Sequence, residues 1–147
     1  MNARVDYWRI APEATQRMAA INTYLKESAV EPGLRHLISL RTSQINGCAY
    51  CIDLHTYEAL QDGERTQRVN CLIAWHETTL FTAQERAALA WTEALTNIAT
   101  THAPEDVYTL VEKHFTDKDL VDLTLMIASM NAWNRMAIGF RRQPTVR

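Results

Sequence analysis

The chain has 147 residues, 47% of them apolar and 22% charged, with a formal net charge of −2. That composition suits a single domain, residues 1–147, with one substantial core, and excludes a disordered chain. It offers no strongly basic face to hold nucleic acid and no apolar run near the roughly 20 residues that span a bilayer.

Glycine and proline number only four each, so the breakers are too few for a turn-rich β fold, and an all-α bundle of about six helices is expected. The opening MNARVDYWRIAPEA lacks an apolar core of signal-peptide length, which points to the cytoplasm. There a CxxC pair is more often catalytic or metal-binding than a structural disulfide.

In chain order, the first helix is expected over 11–27, with Pro12 near its start and Met18, Ile21 and Leu25 on one face. Pro32 and Gly33 interrupt the pattern, and a second helix follows over 34–44. Asn46-Gly47 is a strong breaker pair. A third helix opens at Cys48 and stops before Gly63, and a fourth runs over 64–76. Thr82 and Glu85 stand in capping-box register for the next helix, which carries Ala87, Ala88, Trp91, Leu95 and Ile98. Pro104 opens a short helix to about His114. Thr116 begins the last, to about Gly139, apolar around most of its circumference and so either central or shared with a second subunit.

The richest segment is Gln44-Ile45-Asn46-Gly47-Cys48-Ala49-Tyr50-Cys51-Ile52-Asp53-Leu54-His55. Two cysteines three apart at a helix start can reach each other. The unpaired amides there favour negative charge, which raises the population of the nucleophilic thiolate. His55 lies one turn beyond Cys51 and can take or return a proton. The pattern predicts attack by Cys51, nearer the histidine, on a peroxide oxygen or disulfide sulfur. Cys48 then resolves the product as an intramolecular disulfide and serves as the thiol exposed to reductant. The converse order of the two thiols remains open from the residues alone.

A structural zinc site is the main rival to redox chemistry, but tetrahedral zinc wants a second ligand pair, and His36, His76, His102, His114 and Cys71 are scattered. No metal and no bound cofactor is therefore expected. Among the other polar residues, Asp53 is read as structural, Cys71 as a small hydrophobe, Glu85 as a cap partner, and Tyr50 as packing at the site's wall. Trp75, His76 and Glu77 are expected at a subunit contact. Asn131, Trp133, Asn134 and Arg135 interrupt the apolar last helix, where buried amides need partners; they are expected either across a subunit interface or closing off the thiol pocket, the interface being preferred.

The stretch HLISLRTSQINGCAYCIDLHTYE (36–58) resembles the core motif of the AhpD-like alkylhydroperoxidase family, within the carboxymuconolactone decarboxylase superfamily. The resemblance continues through WHETTLFTAQERAALAWTEALT (75–96) and NAWNR (131–135), and so covers most of the chain. It implies an all-α fold assembled as a trimer or hexamer. It also implies thiol-based peroxidase or disulfide-reductase activity in antioxidant defence. The matching catalytic residues are Cys48, Cys51 and His55, with the second cysteine reacting with the hydroperoxide. The family's pair takes electrons from a lipoyl-bearing or other thiol reductant and can pass them to a peroxiredoxin.

One departure concerns the proton relay. Twelve residues before the first cysteine, where the family keeps a glutamate, this chain has His36. Histidine can relay a proton but cannot stabilise an imidazolium as a carboxylate does, so His36 is an altered relay residue. Two other functions compete on the same residues: a decarboxylase-type enzyme using acid–base groups without thiols, and a non-enzymatic redox sensor.

Overall fold

The structure, a computed structural model describing residues 2–146, is built from α1 (Tyr7–Ile10), α2 (Pro12–Lys26), α3 (Pro32–Asn46), α4 (Ala49–Gln61), α5 (Thr66–Cys71), a 3-10 helix (Leu72–Glu77), α6 (Ala83–Thr96), α7 (Ile98–Thr101), α8 (Glu105–Glu112) and α9 (Asp117–Gly139). No strand occurs among the described residues, and no helix is long and apolar enough to cross a membrane. The fold is all-α, as the sparse breakers imply.

Local chemistry explains most boundaries. The Thr82 hydroxyl accepts a hydrogen bond from the Glu85 N–H while the Glu85 carboxylate accepts one from the Thr82 N–H, a complete capping box. Thr116 accepts from the Asp119 N–H in the same way to start α9. Pro32, expected as an interruption, is instead the first residue of α3, where its missing N–H costs nothing.

Two expectations needed correction. The helix expected over 64–76 stops at Cys71 and continues as a 3-10 helix with a kink at Ala74 (φ −119°, ψ 34°). Tertiary bonds account for the break: the Arg86 guanidinium donates to the carbonyls of Trp75 and Thr78, each at 2.9 Å, so they are not part of a helical ladder. Ile98 does not extend the apolar face of α6; it begins the short α7 and is 52% exposed.

Helix α3 is the spine, packing against α4, α6 and α9. One face carries Leu34 and Ile38 into a core shared with Leu25 of α2, Ala88 and Trp91 of α6, Val111 of α8, and Leu123 and Ile127 of α9. Another carries Leu37 and Leu40 into a second cluster with Ala59, Leu72, Trp75 and Leu89. Each such buried aliphatic side chain contributes about 1.5–3 kcal/mol. The α3–α4 hairpin packs into these clusters through Leu34, Ile38, Leu37, Leu40 and Ala59, and its turn carries both cysteines.

Candidate redox site at the turn between α3 and α4

Gly47 ends α3 in the left-handed region, at φ +68°. The N–H of Gly47 donates to the Gln44 carbonyl at 3.3 Å, and that of Cys48 to the Ser43 carbonyl at 3.0 Å. This paired closure is the Schellman arrangement, and glycine supplies the one conformation it requires. The chain reverses at once, so Cys48 becomes the N-cap of α4, and the Cys51 N–H donates to its Sγ at 3.3 Å.

Cys48 and Cys51 are joined as a disulfide, with Cα atoms 5.3 Å apart. The sulfur of Cys48 therefore sits where a helix-start amide can stabilise negative charge once the bond is reduced. The expectation that Cys48 is the exposed thiol is not met. Cys48 is 1% exposed and Cys51 4%, both packed with Ala137 of α9 and the ring of Tyr50. Cys71 is a free, half-buried cysteine at the end of α5.

His55 lies one turn further along α4, with its side chain 14% exposed. Its Nδ1 is 3.0 Å from Oε2 of Glu58. That hydrogen bond is the main cause holding the Glu58 carboxyl below its ordinary range; partial burial opposes it, and the nearby His36 adds a smaller electrostatic pull. The sequence reasoning passed over Glu58, although the His-x-x-Glu spacing on a helix brings such a pair together. His36 lies elsewhere. It is ten residues before the end of α3, about 15 Å along the helix axis from the turn, and its Nε2 is 2.7 Å from Oδ2 of Asp62 at the far end of α4. The structure thus brings Cys48, Cys51 and His55 onto one short segment. It places His36 beside the Glu58 end of that segment, not beside the sulfurs.

The asparagines of α9 find partners within the chain, not across the subunit interface expected for them. The amide Nδ2 of Asn46 donates to Oδ1 of both Asn131 and Asn134, each at 2.9 Å. Asn134, fully buried, donates to the Ser43 hydroxyl at 3.1 Å, and Asn131 donates to Thr96 Oγ1 at 3.2 Å. Ser43 and Asn46 frame the turn, so this network pins the cysteine-bearing reversal to α9 and α6. Buried amides satisfied this completely fix a single geometry.

The segments flanking the bundle meet over the same spot. Arg4 donates from its backbone N–H to the Phe140 carbonyl at 2.9 Å and from its guanidinium to the Gly139 carbonyl at 3.0 Å. The Arg142 guanidinium lies 4.1 Å from the centre of the Tyr50 ring. It also donates to the Tyr7 hydroxyl at 3.2 Å. Tyr50 therefore packs at the wall of the site, between the disulfide and a cation.

Trp75 and His76 find their polar partner within the chain, on α6. Glu93 accepts from Trp75 Nε1 at 2.7 Å and from Arg41 Nε at 2.9 Å, with His76 Nε2 at 3.4 Å. Trp75 is buried in the second core cluster rather than offered to another subunit. Among the described residues no three His, Cys, Asp or Glu side chains gather as a metal site.

The model of the carboxymuconolactone decarboxylase family matches residues 12–94. The uncharacterised protein YdfG of Bacillus subtilis is 42% identical over 139 residues, 95% of either chain. A crystal structure from Agrobacterium tumefaciens, of a protein of unknown function named as a candidate antioxidant defence protein AhpD, is 42% identical with a TM-score of 0.96, covering 99% of this chain and 100% of that one. A peroxidase-related protein from Ralstonia eutropha, described as an alkylhydroperoxidase AhpD core, shares the fold at 22% identity and a TM-score of 0.82, covering 94% of this chain and 74% of that one. With its helical architecture and its cysteine pair in place, the chain belongs to the carboxymuconolactone decarboxylase family, as an AhpD-like member.

Proposed function

We propose that the protein is a thiol-dependent oxidoreductase that reduces hydroperoxides through Cys48 and Cys51. The observation that carries this reading is the Cys48–Cys51 disulfide at a helix start, one turn from the His55–Glu58 pair. In the reduced protein, His55 takes the Cys51 proton, and the thiolate attacks the terminal peroxide oxygen. The O–O bond breaks, Cys51 becomes a sulfenic acid, and the alkoxide leaves with the proton that His55 returns. Cys48 then attacks the Cys51 sulfur, closing the disulfide and releasing water.

A dithiol reductant, lipoyl-type or other, reverses the change by attacking the Cys51 sulfur. Cys48 leaves as the thiolate favoured by the Cys51 N–H. Glu58 supplies on the same helix the carboxylate that the sequence lacks at position 36, and it stabilises the imidazolium as it forms. His36, paired to Asp62, acts further along this line as an electrostatic neighbour of Glu58. We also propose a homo-oligomer, trimer or hexamer, in which Val121 and Ile138, 63% and 45% exposed on α9, are covered.

The burial of both sulfurs favours a second reading, a redox sensor whose disulfide state alters a surface without rapid turnover. Titrating free thiols before and after stoichiometric hydroperoxide, in a Cys71→Ser background, tests both. The peroxidase reading expects two thiols consumed in the parent, a sulfenic acid trapped in Cys48→Ser, and no appreciable reaction in Cys51→Ser. Slow oxidation with no catalytic turnover under a lipoyl reductant would favour the sensor.

A further inference from the structure

A cleft of about 480 Å³ lies where the segment before α2 meets the segment after α9, and it connects to the disulfide through Arg142, whose guanidinium stacks on the Tyr50 ring that packs against the cysteines. Its wall combines the apolar surfaces of Val5, Tyr7 and Trp8 with the side chain of Arg142. Arg142 is half-buried, held by the ring of Tyr50 on one side and the hydroxyl of Tyr7 on the other. Asp6 also borders the cleft, but its carboxylate accepts the Arg9 N–H at the start of α1.

Among the described residues the arginines in ion pairs are Arg17, Arg41 and Arg68, and no carboxylate pairs with Arg142. A half-buried guanidinium without a carboxylate partner, in a cleft whose other walls are Ala3, Val5, Tyr7 and Trp8 with Asp6 and Gln143 at its border, favours an anion of planar shape. Tyr50 touches both: it packs against the buried cysteine cluster, and its ring lies 4.1 Å from that guanidinium.

We propose that this cleft is the entry vestibule to the Cys48–Cys51 pair, that Arg142 recognises a carboxylate there, and that the preferred oxidant is an apolar molecule bearing a carboxylate. The substrate class rests on the thiol-oxidoreductase reading above; the anion recognition does not. A carboxylate arriving at Arg142 competes with the Tyr50 ring for the guanidinium. Engaging the ligand thus loosens the stack that covers the sulfurs, and the ligand's apolar body occupies the Val5–Trp8 wall. Arg142 is a specificity-determining residue in this scheme, acting on entry and orientation and not on the bond-making step.

The test uses the full chain in a Cys71→Ser background, reduced, with two pairs of oxidants. The first pair is the dianionic disulfide 5,5′-dithiobis(2-nitrobenzoate) and the neutral 4,4′-dithiodipyridine. In each case one protein thiolate attacks the reagent's S–S bond and expels an aryl thiolate or thione. The second thiol then displaces the other aryl group, leaving the protein disulfide. The second pair is a carboxylated cumyl hydroperoxide and its methyl ester, each reduced to its alcohol and water as two protein thiols become the disulfide. Taking anionic-to-neutral rate ratios cancels changes in intrinsic thiol reactivity.

Arg142→Gln is expected to lower both ratios at least about five-fold while changing the neutral rates about two-fold or less. Arg142→Lys should fall between, and Arg141→Gln, an equal loss of charge next door, should leave the ratios as in the parent. Ratios unchanged by Arg142→Gln, or lowered equally by Arg141→Gln, overturn the proposal. If the peroxides fail to oxidise any variant while the disulfide ratio still depends on Arg142, peroxide reduction is wrong and the anion vestibule stands. If the peroxides react with ratios independent of Arg142, the vestibule is wrong and peroxide reduction stands.

Discussion

Nδ1 of His55 stands 3.0 Å from the Glu58 carboxylate, three residues along the same helix. The imidazole is thereby oriented by an acid, as a proton-handling histidine requires. Replacing Glu58 by Gln keeps a hydrogen-bond acceptor and removes the charge. A charge-assisted bond worth about 1.5 kcal/mol corresponds to about ten-fold in rate, so oxidation of the reduced pair near neutral pH should slow by about that factor. His55→Ala should cost more, about 10²-fold. Stopped-flow thiol oxidation across pH measures both, and equal rates in all three proteins would remove the pair from the mechanism.

Gly47 holds φ at +68°, with nothing within 4 Å of where a Cβ would stand. Substitution by Ala therefore meets backbone strain alone. Gly47→Ala should lose about 1–2 kcal/mol of stability, and Gly47→Asn less, because Asn tolerates the left-handed region. Urea unfolding midpoints at unchanged slope are the measurement.

Asn134 is fully buried and joins Asn46 to Ser43. Asn134→Ala leaves the Ser43 hydroxyl and the Asn46 amide each short of a partner, at a cost of about 1–3 kcal/mol. The lost anchor sits under the turn, so the midpoint potential of the disulfide should shift as well. Ser129→Ala, which removes the hydrogen bond that the Ser129 hydroxyl donates to Asn22 Oδ1, should lower stability without moving the potential.

Glu85 gives a prediction on acid stability. Burial alone would raise its carboxyl, but the bonds from Arg68 and from the Thr82 N–H outweigh it and hold the group below its ordinary value of 4.5. A folded-state value below the unfolded one stabilises the protein above that ordinary value and loses the contribution as pH falls through the folded value. Stability should thus decline below about pH 4.5, and Glu85→Gln should flatten that decline while lowering stability at pH 7 by about 1 kcal/mol. Urea midpoints from pH 7 to pH 3 give the comparison.

What could be seen in the sequence was what local chemistry decides. Thr82 with Glu85, Thr116 with Asp119, Pro12 and Gly47 each act within one turn of their own position, and the boundaries they imply match the structure to within a residue or two. The break of the helix after Cys71 depends on Arg86, more than ten residues away in sequence from Trp75, and no local pattern announces it. The site divides the same way. The cysteines, His55 and Glu58 share one helix and can be read from spacing, whereas the pairing of His36 with Asp62 spans 26 residues. Asn131 and Asn134 show in sequence that they need partners, and only the packing of α9 on α3 shows which.

The contact between Arg4 and Gly139 bridges 135 positions of sequence. Its consequence is one of timing. Contacts so distant along the chain close late, after local helices and their neighbours have formed. The cysteine pair, contained in four consecutive residues at a hairpin turn, can therefore exist while its cover does not. A growing polypeptide would carry the two sulfurs open to thiol exchange until residue 142 has been added. In the finished molecule the same late contact should be among the earliest to fray, admitting small reagents to the sulfurs long before the bundle itself melts.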